Sequence, residues 1–165
     1  MNMNIRTLVT NGVLAALYIA ATALVAPIAF SNIQFRLSEI FNHLIVFDKR
    51  YFWGIAIGVF FSNLFMSTLG AYELLGLSQT IISLLITMGF GVFIKNKLVL
   101  MVINTVVFTC NMWIIALMLN LAIEVPFFIT WMTTAAGELI VMSIGIAVIW
   151  ALHQRLRFDR LFDYK

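Results

Sequence analysis

The chain has 165 residues, 63% of them hydrophobic and only 10% charged, with a formal net charge of +3. Soluble domains carry about 25% charged residues, so this balance excludes a soluble enzyme and describes a single integral membrane domain over residues 1–165, with mean hydropathy +1.05. The one cysteine, Cys110, excludes an intrachain disulfide and a cysteine-based metal site, and the ten basic residues are too few and too dispersed for a nucleic-acid surface.

A bilayer core about 30 Å thick takes about 20 apolar helical residues to cross. The first uncharged run predicts span one at 7–30. It is long enough to cross and lacks a convincing cleavage site, so it is expected to stay as a helix rather than leave as a signal peptide. Gly12, Ala16 and Ala20 recur there every four residues, a stripe that lets another helix approach closely. Packing within the domain is the commoner use of such a stripe; docking of a separate subunit is the other. Span two, 32–47, is the weak one, because its apolar part is too short alone. Ser31 with Gln34 reads as a capping box that would start a helix near Asn32. The alternation of Ile33, Phe35 and Leu37 against Gln34, Arg36 and Ser38 reads instead as an extended lead-in.

Spans three to six follow at 51–72, 74–94, 98–123 and 125–152. Six spans is the expectation and five the fallback. With the N-terminus in the cytoplasm, six spans place nine of the ten basic residues inside, which is the usual bias of cytoplasmic loops. Both termini are then cytoplasmic. Arg36 is the exception, and it lies in the outer segment Phe30 to Glu39, three residues from Glu39. The bland reading of that pair is a surface ion pair worth well under 1 kcal/mol. The functional one is a lid whose charged face covers a ligand.

Glu138 is the sharpest single feature. It lies near the middle of span six, where an ionisable group costs several kcal/mol unless paired or hydrated, and it marks a ligand, ion or proton site. Trp131, Thr134 and Glu138 fall on one helical face, which would let Trp131 cover a planar ligand; the other reading of Trp131 is an interface anchor. Asn104 and Asn111 share a face of span five. Asn111 either bonds helix to helix or points into the same cavity as Glu138. Gln79, about a turn below Glu73 on span four, is placed to line the outer half of such a cavity. His43 and His153 lie in different regions, and no cluster of nucleophile and base or of metal ligands is present in the sequence, so no catalysis, cofactor or metal is expected.

The segment IQFRLSE, Ile33 to Glu39, after a Pro27-containing end of span one, resembles the hallmark of the QueT family of energy-coupling-factor S-components. Gly137-Glu138 is similar to a Gly-Glu pair of the same family, and Gly12, Ala16 and Ala20 resemble the Ala-xxx-Ala docking motif of S-components. The resemblance covers essentially the whole chain. It implies an all-α membrane protein, a bundle of six transmembrane helices in the plasma membrane. It implies capture of a queuosine precursor from outside, a 7-deazaguanine such as the 7-aminomethyl derivative. It also implies delivery through a shared transmembrane coupling subunit and two cytoplasmic ATPases. On that reading Glu138 meets the guanine-like edge, and Glu39 or Glu73 the ligand's ammonium. Asn111 or Gln79 serves the carbonyl and pyrrole N–H, Trp131 or Phe35 stacks, Arg36 belongs to the lid face, and Gly12, Ala16 and Ala20 dock the partner. The competing readings are an S-component for another vitamin-like or purine-like compound, and a proton-coupled secondary transporter using Glu138.

Overall fold

The computed structural model describes residues 5–25, 36–67 and 69–162. Among them every regular element is helical. Helix α1 spans Ile5–Leu24 and buries Thr7, Asn11, Leu14, Ala15, Tyr18 and Thr22, a stripe at intervals of one, three or four residues that keeps one face inward. After residues outside the description comes a short 3₁₀ helix, Leu37–Val46, with seven of its ten residues buried. Asp48 then accepts a hydrogen bond from the Arg50 backbone N–H and ion-pairs with the Arg50 guanidinium at 2.6 Å, closing a single turn, Lys49–Tyr51.

Four longer helices follow. α2 is Phe52–Met66, α3 Glu73–Phe93, α4 Lys97–Ile123 and α5 Phe127–Leu156. Asn96 caps α4 by accepting from the backbone N–H groups of Leu98 and Val99, two donors that a helix start leaves without partners. Pro126 precedes α5, where a fixed φ and a missing N–H cost nothing.

Six helical segments therefore stand where six spans are expected. Four are long and apolar enough to cross a bilayer: Ile5–Leu24, Gly70–Phe93, Lys97–Ile123 and Phe127–Leu156. At 15 residues α2 reaches about 22 Å, and the ten-residue 3₁₀ helix about 20 Å. The expected second span is thus a short helix sunk into the bundle: Ser38, Asn42 and His43 have no solvent exposure. The expected lid falls mostly at residues 30–35, outside the described residues, as do Pro27, Ser31 and Asn32.

α1 packs on α2, α4 on both α3 and α5, and α5 on the 3₁₀ helix. The α1–α2 contact is close because α2 offers Gly54 and Gly58. A Cβ at Gly58 would sit 2.7 Å from Cβ of Tyr18, and one at Gly54 2.7 Å from Oδ1 of Asn11. Asn11 Oδ1 accepts from the Gly54 N–H at 3.0 Å, so a side chain of one helix satisfies an orphan donor in the first turn of the next. This corrects the intradomain reading of the α1 stripe. Gly12, Ala16 and Ala20 are exposed and point away from the bundle, and a Cβ at Gly12 would meet nothing. The small-residue pair that permits close approach is on α2. Leu8, Val9, Val13 and Leu17 join the stripe on the outward face, as lipid contact requires.

Candidate functional site

The residue before the 3₁₀ helix, Arg36, is 5% exposed, and Glu39 in its first turn is 4% exposed. Neither is a surface group. Arg36 donates to Asn63 Oδ1 on α2 at 3.1 Å and ion-pairs with Glu73 at the start of α3 at 3.8 Å. Glu73 in turn accepts from the Ser67 hydroxyl. Glu39 is held from two sides: Oε1 accepts from the Tyr18 hydroxyl at 2.9 Å, and Oε2 accepts from the Asn42 amide. Beside it the Thr22 hydroxyl donates to Ser38 Oγ at 2.7 Å. The 3₁₀ helix is thereby tied to α1 by two side-chain bonds.

Arg36, Glu39, Gln79 and Glu138 line one small cavity, with Met112 and Ile115 as its apolar wall. Four elements converge there. Its free space is about 10 Å³, room for about one water. Gln79 donates to the Phe108 carbonyl at 3.5 Å, and its own carbonyl accepts from Thr80 at 3.3 Å. Glu138 is 2% exposed, and its Oε1 has no hydrogen-bond partner among the described residues. A buried carboxylate oxygen without a donor is costly in a low-dielectric interior. Glu138 is therefore the group in this cavity with the most to gain from a donor.

Two sequence candidates lie elsewhere. Asn111 donates to Ser83 Oγ on α3 at 2.9 Å, so it is a helix-to-helix bond and not a cavity group. Ser83 is fully buried. Trp131 packs with Phe127 and against the cluster of Met112, Ile115, Met118 and Leu119; it backs the apolar wall rather than facing the cavity. Glu73 lines a second crevice of about 250 Å³ between α2 and α3, together with Asn63.

Sequence reasoning did not single out Tyr18, Asn42 and Asn63. A tyrosine within an apolar run reads as core, and the signal that could have found it is helical phase. Asn11, Tyr18 and Thr22 share the buried stripe of α1. His43 belongs to a separate set. Its Nε2–H donates to the Met142 carbonyl at 2.9 Å and its Nδ1 accepts from Asn104 at 3.2 Å, while Asn104 Oδ1 accepts from the Thr87 hydroxyl at 2.7 Å.

A model of the family described as "QueT transporter" matches residues 8–154. The chain belongs to the QueT transporter family. It is also 31% identical over 161 residues to the protein named queuosine precursor transporter QueT of Lactococcus lactis subsp. cremoris (strain MG1363), covering 93% of this chain and 95% of that one. No solved structure matches it. Membership makes this a transporter protein of the plasma membrane, crossing it more than once, and not one of a family of enzymes.

Proposed function

We propose that this protein is the substrate-binding subunit of an energy-coupling-factor importer, and that it captures a 7-deazaguanine precursor of queuosine from outside the cell. The observation that carries the ligand class is Glu138, which lines a cavity inside the bundle and whose Oε1 has no hydrogen-bond partner among the described residues. A carboxylate accepts both the N1–H and the 2-amino group of a guanine-like edge, and such charge-assisted pairs are stronger than neutral ones. The substrate in the relative's name, a queuosine precursor, supplies the same edge. Gln79 offers a carbonyl and an amide to the ring's remaining polar atoms.

The cavity has room for one water, so a bicyclic base enters only if its walls move. The short 3₁₀ helix is the natural moving part, since the side chains of Tyr18 and Thr22 tie it to α1. Six spans with both termini in the cytoplasm put this mouth outside. The chain contains no nucleotide-binding loop, so ATP-driven work falls to a coupling subunit and two ATPases. The outward stripe Gly12, Ala16 and Ala20 is the surface for that subunit.

Purified protein is expected to bind 7-aminomethyl-7-deazaguanine by calorimetry and to accumulate it in vesicles only with the coupling module. Absence of binding by any 7-deazaguanine overturns the substrate, and uptake by the lone chain driven by a pH gradient favours a proton-coupled carrier instead. Ala16→Leu is expected to abolish uptake while leaving binding intact; normal uptake removes α1 as the docking surface.

A further inference from the structure

α1 and α5 stand on either side of the short 3₁₀ helix, each packed against it. Between them runs a groove of about 300 Å³. Phe41 and Leu44 supply its floor; three residues apart, they stack on one face of a 3₁₀ helix. Val13 and Leu17 form the rim on α1, and Leu152 and Leu156 the rim on α5, each pair one turn apart and exposed. Tyr51 also reaches the groove, but its hydroxyl donates to the Phe158 carbonyl at 3.0 Å, inside the fold. Apart from Thr10, the groove offers hydrocarbon.

The same end of the bundle carries positive charge. Arg6 lies one turn before Thr10 on α1 and is exposed. α5 ends at Arg157, whose left-handed φ of 51° turns the chain back and buries Phe158 and Phe162. Arg155, Arg157 and Arg160 stay exposed around that turn. Among the described residues none of the four arginines is in an ion pair, and the acid of the turn, Asp159, lies 3.9 Å from His153. Membrane orientation accounts for basic residues at a cytoplasmic end. It does not account for an apolar groove leading away from them. Thr10 to Leu17 lie about 6 to 16 Å from Arg6 along the axis, the hydrocarbon depth of one leaflet of a core about 30 Å thick. Apolar depth below a cationic rim matches an amphiphile with an anionic head.

We propose that this groove holds an acyl chain of an anionic phospholipid, with the lipid phosphate among Arg6, Arg155, Arg157 and Arg160. On the topology proposed above this is the cytoplasmic leaflet, which carries anionic lipid, and basic pockets between helices on that side hold acidic headgroups. The stripe Gly12, Ala16 and Ala20 is centred about a third of a turn round α1 from Thr10, Val13, Leu14 and Leu17. The lipid surface and the docking surface are neighbours and not the same.

The test uses the purified full chain, stripped of lipid and titrated in detergent, with native mass spectrometry as the readout. The probes are phosphatidylglycerol, phosphatidylcholine with the same chains, and glycerol 3-phosphate. One phosphatidylglycerol is expected to be retained, at least about tenfold in preference to phosphatidylcholine, and glycerol 3-phosphate is expected not to compete. In Arg155→Gln/Arg160→Gln, both at exposed positions, the preference is expected to fall about fivefold for each arginine removed. Leu152→Trp, which fills the groove, is expected to lose both lipids. Equal retention of the two lipids, or a preference that survives the double arginine variant, overturns the headgroup assignment. Retention unchanged in folded Leu152→Trp, or full competition by glycerol 3-phosphate, overturns the groove. Expulsion of the lipid by an added coupling subunit gives the groove to that subunit and overturns the proposal. No 7-deazaguanine enters the measurement, so each of these outcomes leaves the substrate reading where it stands.

Discussion

Two buried polar groups of this protein sit side by side and meet at Asn42. One runs through His43, Asn104 and Thr87. The other runs through Arg36, Glu39 and Glu138. In the first, each side-chain polar atom has a partner: His43 bonds Met142 and Asn104, and Asn104 bonds Thr87 and the Asn42 carbonyl. A Cβ at Gly145 would meet Ile40 Cα at 3.1 Å, so α5 presses on the short helix with no space between them. In the second there is a cavity, a carboxylate oxygen with no donor among the described residues, and three acids against one base. Polar side chains at similar burial are complete in one place and incomplete a turn away. Completeness is what a structural network needs. An incomplete one persists only if something else finishes it, the role proposed here for the ligand.

This contrast is open to attack. The largest effect expected is on Glu138. Glu138→Gln should weaken ligand binding by about 1.5–3 kcal/mol, the worth of a hydrogen bond to a charged group. Because it removes one buried acid from a cluster of three acids and one base, it should leave the melting temperature equal or higher. Unchanged affinity, or a clear loss of stability, would place Glu138 in the structural group. Asn104→Leu should do the opposite. It strands His43 Nδ1, the Thr87 hydroxyl and the Asn42 carbonyl, and about 2 kcal/mol of stability is expected to go with them. Thermal unfolding in detergent measures this, and a stable Asn104→Leu protein with altered ligand preference would erase the distinction. Tyr18→Phe is the smallest. It takes one donor from Glu39, about 0.5–1.5 kcal/mol, read as weaker ligand binding with little change in unfolding. An effect on stability alone would make Tyr18 a packing residue.

Much of this was written in hydropathy. The long apolar runs lie where α1, α3, α4 and α5 lie, because a bilayer fixes how many residues a crossing helix needs. Glu138 stood out for the same reason: a lone acid in such a run has no apolar excuse. Gln79 and Glu39 came with it. What hydropathy cannot carry is direction. Asn104 and Asn111 do share a face, but that face turns to Thr87 and Ser83 on α3. The stripe on α1 has the composition of an internal contact and faces outward, while Gly54 and Gly58, equally spaced on α2, make the internal contact. Tyr18 escaped notice because a phenol is apolar by area and polar only at its tip. The Arg36–Glu73 pair joins residues 37 positions apart, which local spacing does not reach.

α1 has two sides with different neighbours. One face carries Tyr18 and Thr22, whose hydroxyls hold the short helix; the opposite face is the bare strip of Gly12, Ala16 and Ala20. A helix is stiff, so the two faces cannot move separately. Tyr18 lies about 20 Å along the axis from Ile5, at 1.5 Å per residue. A tilt of about 10° pivoting at the Ile5 end would carry it about 3.5 Å, further than the play in a hydrogen bond. The helix is then a lever: whatever leans on its smooth side from within the membrane pulls the latch on Glu39 at the other.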